Sequence, residues 1–288
     1  MAKERRNWLV ETDWLADHLN APDIAIVDAS WHMPNSPRDA YQEYLDARIP
    51  GAVHFDIDEI ADTASDLPHM LASPVKFSAR MRKMGIGDGM RIVVYDSDGI
   101  SSSPRVWWTF RVMGVEDVAV LNGGLRKWRH EDRPLEDGPP RRRTERHFTA
   151  RRNGELVRDM SDVAAALADP MIQVYDTRSQ QRFGGHIPEP REGLRAGHMP
   201  GSQNLPFSEL LNGDGTMKSP DELRAILERH NVDFTRPLVA SCGSGVTACI
   251  LNLALAVTGH RRVSVYDGSW TEWGADPTAP IETSPEPE

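Results

Sequence analysis

Cys242 has the surroundings best suited to covalent chemistry. It follows Leu238-Val239-Ala240-Ser241 and opens Gly243-Ser244-Gly245-Val246-Thr247-Ala248-Cys249. The run before it reads as a buried-type strand. The stretch after it, through Ile250, Leu251, Leu253, Leu255, Ala256 and Val257, reads as an apolar helix closed by Gly259. In a parallel α/β sheet, ligands bind at the turn after a strand's carboxyl end. Glycines at 243 and 245 permit a tight loop with positive φ and leave the N–H groups of residues 243–248 open to its centre. Those donors, with a helix N-terminus behind them, would favour negative charge on Cys242. A free cysteine is otherwise most often a small buried hydrophobe. Its place between a strand end and a Gly-Ser-Gly turn favours a nucleophile instead. Cys249 lies seven residues on, about 10.5 Å along a regular helix. That separation forbids a disulfide with Cys242 without unwinding, so Cys249 is read as core.

Other loop chemistries are excluded by residue type. A phosphate-binding P-loop needs Gly-Lys-Ser/Thr, and no lysine follows Gly245. A Gly-x-Ser-x-Gly nucleophile elbow fails because Cys242 stands at its first glycine. A cysteine phosphatase wants an arginine closing the loop, where Val246, Thr247 and Ala248 stand here. Metal binding needs further ligands that two cysteines on separate turns do not supply, so no metal and no cofactor is expected.

The elements that must position this loop occur twice. Ala25-Ile26-Val27-Asp28-Ala29 resembles Ile172-Gln173-Val174-Tyr175-Asp176-Thr177, at an offset near 148. Arg48-Ile49-Pro50-Gly51-Ala52 resembles Gly197-His198-Met199-Pro200-Gly201-Ser202, at an offset of 150. Val118 to Gly124 with Trp128 matches Val263 to Ser269 with Trp273, at 145. Three blocks in one order indicate two copies of one domain, the period being too long for a solenoid. Strands are expected over 24–28, 91–95, 118–121, 172–176, 237–241 and 263–266. Helices are expected over 11–19, 39–46, 75–83, 104–113, 160–168, 220–229 and 246–258. Such alternation predicts an α/β fold, each copy a mostly parallel sheet flanked by helices. The expected domains are 1–130, with no loop cysteine, and 156–276, the catalytic copy. Between them, 131–155 reads as an exposed linker with Pro134, Gly138-Pro139-Pro140 and a solvated Arg141-Arg142-Arg143 cluster. The Pro- and Glu-rich 277–288 is expected to be a disordered tail.

Composition narrows the partners. The 288 residues include 33 basic and 43 acidic ones, a formal charge of −10, which argues against nucleic-acid binding. No run approaches the ~20 apolar residues of a membrane span, and Met1 to Trp8 is charged with no apolar core after it. Two cysteines exclude a disulfide scaffold and suit a reducing cytoplasm.

The loop Cys-Gly-Ser-Gly-Val-Thr after a strand resembles the active loop of the two-domain rhodanese family. So do Asp28-Ala29-Ser30-Trp31, Phe55-Asp56-Ile57-Asp58, His69-Met70-Leu71, Pro104-Arg105-Val106-Trp107-Trp108 and Tyr266-Asp267-Gly268-Ser269-Trp270, so the resemblance spans nearly the whole chain. It implies two tandem rhodanese-like domains and sulfur transfer through a persulfide on Cys242 to a thiol or cyanide. The thiol could belong to a thioredoxin-like protein. Thiosulfate-specific members usually carry basic residues after the cysteine. Neutral Gly243 and Ser244 therefore point to 3-mercaptopyruvate as the small-molecule donor, with release of pyruvate. Thiosulfate transfer, or a non-catalytic persulfide-carrying or docking module, are the alternatives. In the first copy Asp96 stands where the repeat places the cysteine.

The resemblance also implies a carboxylate clamp of Arg182 and Arg191, guanidinium being a planar, permanently charged fork. Arg178 and Arg195 do not match and are read as structural. It further implies a relay in which Ser244 bonds His69 and His69 is oriented by Asp58, with Asp56, Asp62 and Asp66 flanking the same segment. Gly243, Gly245, Val246 and Thr247 would line the bound sulfur.

Overall fold

The computed structural model describes residues 7–285. They form two compact units. Unit 1 comprises the described residues up to Thr63, with Leu71–Asn153 and Asn212–Met217. Unit 2 comprises Ala64–Met70, Gly154–Leu211 and the described residues from Lys218 on.

Unit 1 holds strands β1 (Leu9–Val10), β2 (Ile24–Asp28), β3 (Val53–His54), β4 (Arg91–Tyr95) and β5 (Val118–Leu121). All are parallel, in the order β1-β5-β4-β2-β3. Its helices are α1 (Thr12–His18), α2 (Ala40–Asp46), α3 (Pro74–Lys83), α4 (Ser103–Val112) and α5 (Gly124–His130). Unit 2 repeats the plan with β6 (Val157–Arg158), β7 (Gln173–Asp176), β8 (Gln203–Asn204), β9 (Leu238–Ser241) and β10 (Val263–Tyr266). These too are parallel, in the corresponding order β6-β10-β9-β7-β8. Its helices are α6 (Met160–Ala168), α7 (Gln180–Gly184), α8 (Pro220–Arg229), α9 (Ala248–Val257) and α10 (Ser269–Trp273). The shared strand order bears out the α/β duplication.

Central strands carry continuous apolar runs because both faces are covered. Ile92, Val93, Val94 and Tyr95 of β4 are buried, as are Leu238, Val239 and Ala240 of β9. Helix α9 is buried along Ala248–Leu255, which accounts for its having no polar face. Surface helices start conventionally. Ser219 caps α8 through a capping box with Glu222, and Ser73 caps α3 ahead of Pro74.

Two expectations need correction. The segment 131–155 is not a free linker through its length. Phe148 is buried, its ring 5.7 Å from that of Phe77, and its carbonyl accepts Arg82 Nε and Nη2 at 3.1 and 3.0 Å. The amides of Arg151 and Asn153 bond Met113 O and Val112 O. The segment expected as a disordered tail is ordered from 277 to 285. Ala279 is buried, Glu282 bridges His198, and the Ser284 amide bonds Gly184 O. Residues 286–288 lie outside the described residues.

Candidate active site

The loop after β9 is set by its neighbours in unit 2. β7 pairs β9 with Asp176 opposite Ser241, and the Thr177 amide bonds Ser241 O at 2.9 Å. Thr177 Oγ1 lies 3.3 Å from Thr247 Oγ1, tying the far end of the loop to β7. Cys242 is a free thiol, 2 % exposed, and its carbonyl accepts the Trp270 amide at 3.0 Å. Among the described residues, no acceptor is recorded for the amides of Gly243, Ser244 and Val246. Cys249 is core as expected, its Sγ donating to Gly245 O at 3.3 Å.

Unit 1 clarifies what such a loop holds. Tyr95 ends β4 opposite Asp28 as Ser241 ends β9 opposite Asp176. Asp96 therefore corresponds to Cys242, and its carbonyl accepts the Leu125 amide at 2.9 Å as that of Cys242 accepts Trp270. The Asp96 carboxylate turns into its own loop. It accepts the amides of Asp98, Gly99, Ser101 and Ser103 at 3.1, 3.0, 2.8 and 2.8 Å, and the Ser103 hydroxyl at 2.6 Å. This turn is built to surround an anion.

Only Gly245 has the expected positive φ, at +77°. Gly243 is not in that region and is required for a different reason. A Cβ on it would lie 2.9 Å from Arg182 Nη2, so the guanidinium rests against the bare loop backbone. Arg182 is held there by Glu189, whose Oε1 accepts Nε at 3.2 Å and whose Oε2 accepts Nη2 at 2.5 Å. Among the described residues Nη1 has no recorded acceptor, which leaves a directed donor on a side chain still 24 % exposed. Glu189, 1 % exposed, also accepts Arg178 Nη1 at 2.8 Å. Arg178 is fully enclosed: Asp176 takes its Nε and Nη2, Gly197 O takes Nη2, and the group stacks 4.2 Å from the Trp270 ring. Burial alone would lower its pKa. The Asp176 and Glu189 carboxylates outweigh that and hold it above the ordinary value. Arg178 is structural, as expected, and so is Arg195, which donates to Gly274 O and Ala279 O.

His69 groups with unit 2 through the segment Ala64–Met70. Its φ is +61°, its side chain is buried, and its Nε2 lies 3.3 Å from Arg191 Nη2. A guanidinium only donates, so Nε2 is the accepting atom in this contact. Asp58 lies in unit 1, where it accepts the Trp31 indole N–H at 2.8 Å. Ser244 is buried in the loop.

The Rhodanese-like domain matches residues 11–131 and 159–276. The chain belongs to the rhodanese family. It is 44% identical over 276 residues to the 3-mercaptopyruvate sulfurtransferase of Escherichia coli (strain K12), covering 96% of this chain and 98% of that one. It is also 44% identical over 272 residues to the thiosulfate sulfurtransferase of Bos taurus, covering 92% and 91%. Among solved structures, SseA from Escherichia coli, described with the 3-mercaptopyruvate sulfotransferases, matches with a TM-score of 0.84 at 42% identity over 92% of this chain and 99% of that one. The chain is thus equally identical to relatives named for different donors.

Two residues beside the loop have no role assigned by motif reading. Glu189 looks like one more surface acid between prolines. Ser269 has φ +50° without being glycine, while its counterpart Gly124 has φ +53°. Such a conformation costs a serine on the order of 1 kcal/mol. Its hydroxyl accepts the Cys242 amide at 3.3 Å and donates to Tyr266 O at 2.8 Å. The repeat carries a signal, a serine where the first copy has glycine.

Proposed function

We propose that this protein is a 3-mercaptopyruvate sulfurtransferase. The observation that carries the reading is Cys242 at the position where the sister loop closes on a carboxylate, with a guanidinium against Gly243 beside it. The Cys242 thiolate attacks the sulfur of 3-mercaptopyruvate. The carbon–sulfur bond breaks, its electron pair leaves as the enolate of pyruvate, and the sulfur stays on Cys242 as a persulfide. Loop amides at Gly243, Ser244 and Val246 stabilise that anion, with Gly245 and Thr247 shaping the turn. Arg182, through Nη1, and Arg191 hold the donor carboxylate so that its sulfur lies in line with Cys242. Orientation of this kind contributes at most about 7–11 kcal/mol. Ser244 and His69 pass the proton from donor thiol to enolate carbon. A thiol, including one on a thioredoxin-like protein, or cyanide then takes the sulfur and restores the thiolate. Two free cysteines suit a cytoplasmic enzyme, and no described helix is long and apolar enough to cross a membrane.

The rival donor is thiosulfate, favoured by the bovine relative. The neutral Gly243-Ser244 pair supports mercaptopyruvate instead. The test is a parallel assay of both donors with intact-mass measurement after donor alone. We expect preference for mercaptopyruvate and a gain of one sulfur atom, lost in Cys242→Ser together with turnover. A preference for thiosulfate, or sulfur retained by Cys242→Ser, would overturn the reading.

A further inference from the structure

Residues 185–197 form a loop between α7 and His198 that carries Glu189 and Arg191. Both ends of this loop rest on residues 282–284 of the tail. At its start, Gly184 O accepts the Ser284 amide at 3.0 Å, and His186 Nε2 donates to Ser284 O at 2.9 Å. At its finish, His198 and Glu282 exchange amide–carbonyl bonds in both directions, at 2.8 and 2.9 Å. The approach there is close. A Cβ on Gly197 would lie 2.4 Å from Glu282 O, a backbone atom that has no rotamer to escape by. Gly197 in turn gives its carbonyl to Arg178 Nη2 at 2.8 Å, and Arg178 holds Glu189. The His198 ring stacks 3.9 Å from Phe183, and its Nδ1 donates to Phe183 O at 2.9 Å. Phe183 follows Arg182 in α7, a helix of 5 residues. So short a helix has little stability of its own and is placed by what it packs on.

The first copy has the same clasp closed on a tight turn. Arg48 and Glu136 exchange amide–carbonyl bonds, both at 2.9 Å, and the Gly138 amide bonds Leu45 O at 2.7 Å. Only Asp46 and Ala47 lie between Leu45 and Arg48. The second copy keeps the clasp and opens it around 185–197, the stretch that bears Glu189 and Arg191.

We propose that Glu282 and Ser284 are positioning residues: the C-terminal strap clasps the base of loop 185–197 and so holds Arg182 and Arg191 in the spacing that grips the donor carboxylate. The strap bonds Gly184, His186 and His198, whereas the Cys242 loop is set by β7, Thr177 and Trp270. Loosening the strap therefore weakens carboxylate binding and spares the reactivity of the thiol. This deepens the mercaptopyruvate reading and rests on its arginine clamp.

The test uses full-length Ser284→Pro and Glu282→Pro, which delete the amides bonded to Gly184 O and His198 O. Hydrogen exchange read by mass spectrometry should quicken over 185–197 in both, with β9 and α9 unchanged. KM for mercaptopyruvate should rise about 3- to 10-fold in each, with a smaller change in kcat. Loading of Cys242 by inorganic polysulfide, a donor without a carboxylate, should stay near wild type. Ser284→Ala keeps both backbone groups and should match the wild type throughout. Neither proline should raise KM further in an Arg182→Ala, Arg191→Ala background. Ser284→Pro carries the test alone if Glu282→Pro does not fold. Unchanged exchange over 185–197, an unchanged KM despite faster exchange, or equal loss with both donors would overturn the inference. If the wild type does not turn over mercaptopyruvate, or the double arginine variant leaves its KM unchanged, the underlying reading falls and takes the inference with it. Exchange needs no donor, so the two failures are told apart.

Discussion

At the scale of single residues, two arginines four positions apart have opposite fates. Arg178 spends its donors on Asp176, Glu189 and Gly197 O, while Arg182 keeps Nη1 for something else. What separates them is burial, with side-chain exposures of 0% and 24%. Arg178→Ala would strand two carboxylates that are 0% and 1% exposed. Breaking such a pair costs about 3–5 kcal/mol. Urea unfolding should register a loss of that size, and a change below 1 kcal/mol would place the network among weak surface pairs.

At the scale of elements, β2 and β7 end alike and are treated differently. Asp176 is paired with Arg178, two residues on. Asp28 has Ser30 there, whose amide its Oδ1 accepts at 2.9 Å, and its Oδ2 is buried. Burial therefore raises the Asp28 pKa, against the opposing pull of Ser30 and nearby His54. The folded chain then holds a proton that the unfolded chain releases, so stability falls as pH rises from 3.8 through the folded-state value. Asp28→Asn should stabilise unit 1 at neutral pH and lose that advantage at or below 3.8. Denaturant midpoints at the two pH values measure it. A gain that is equal at both would mean the carboxylate is ionised at no cost.

At the scale of the molecule, the division between units does not follow the chain. Segments 64–70 and 212–217 are assigned against their neighbours in sequence, and the connecting stretch through Asn153 belongs to unit 1. Phe148 anchors that stretch on Phe77. Phe148→Ala should cost about 3–5 kcal/mol by the usual cavity effect, read as a lowered unfolding midpoint. A neutral result would restore the stretch to a linker.

Local pattern determined a good deal: the duplication, six of the ten strands, the turn that follows Cys242 and the reading of Arg178 as structural. Each depends on periodicity or on residue types adjacent in the chain. The two-residue strands β1, β3, β6 and β8 were too short to leave a period. The ordered tail, the seat of His69 in unit 2, the grip of Glu189 and the reason for Gly243 were decided only by tertiary structure. All four are contacts between residues distant in sequence or turned toward each other by a bend, and a side chain's partner in space has no imprint on its neighbours along the chain. Gly243 makes the case most plainly. The sequence supplies a glycine in a loop and suggests φ, whereas the fold brings a guanidinium to the place a Cβ would occupy.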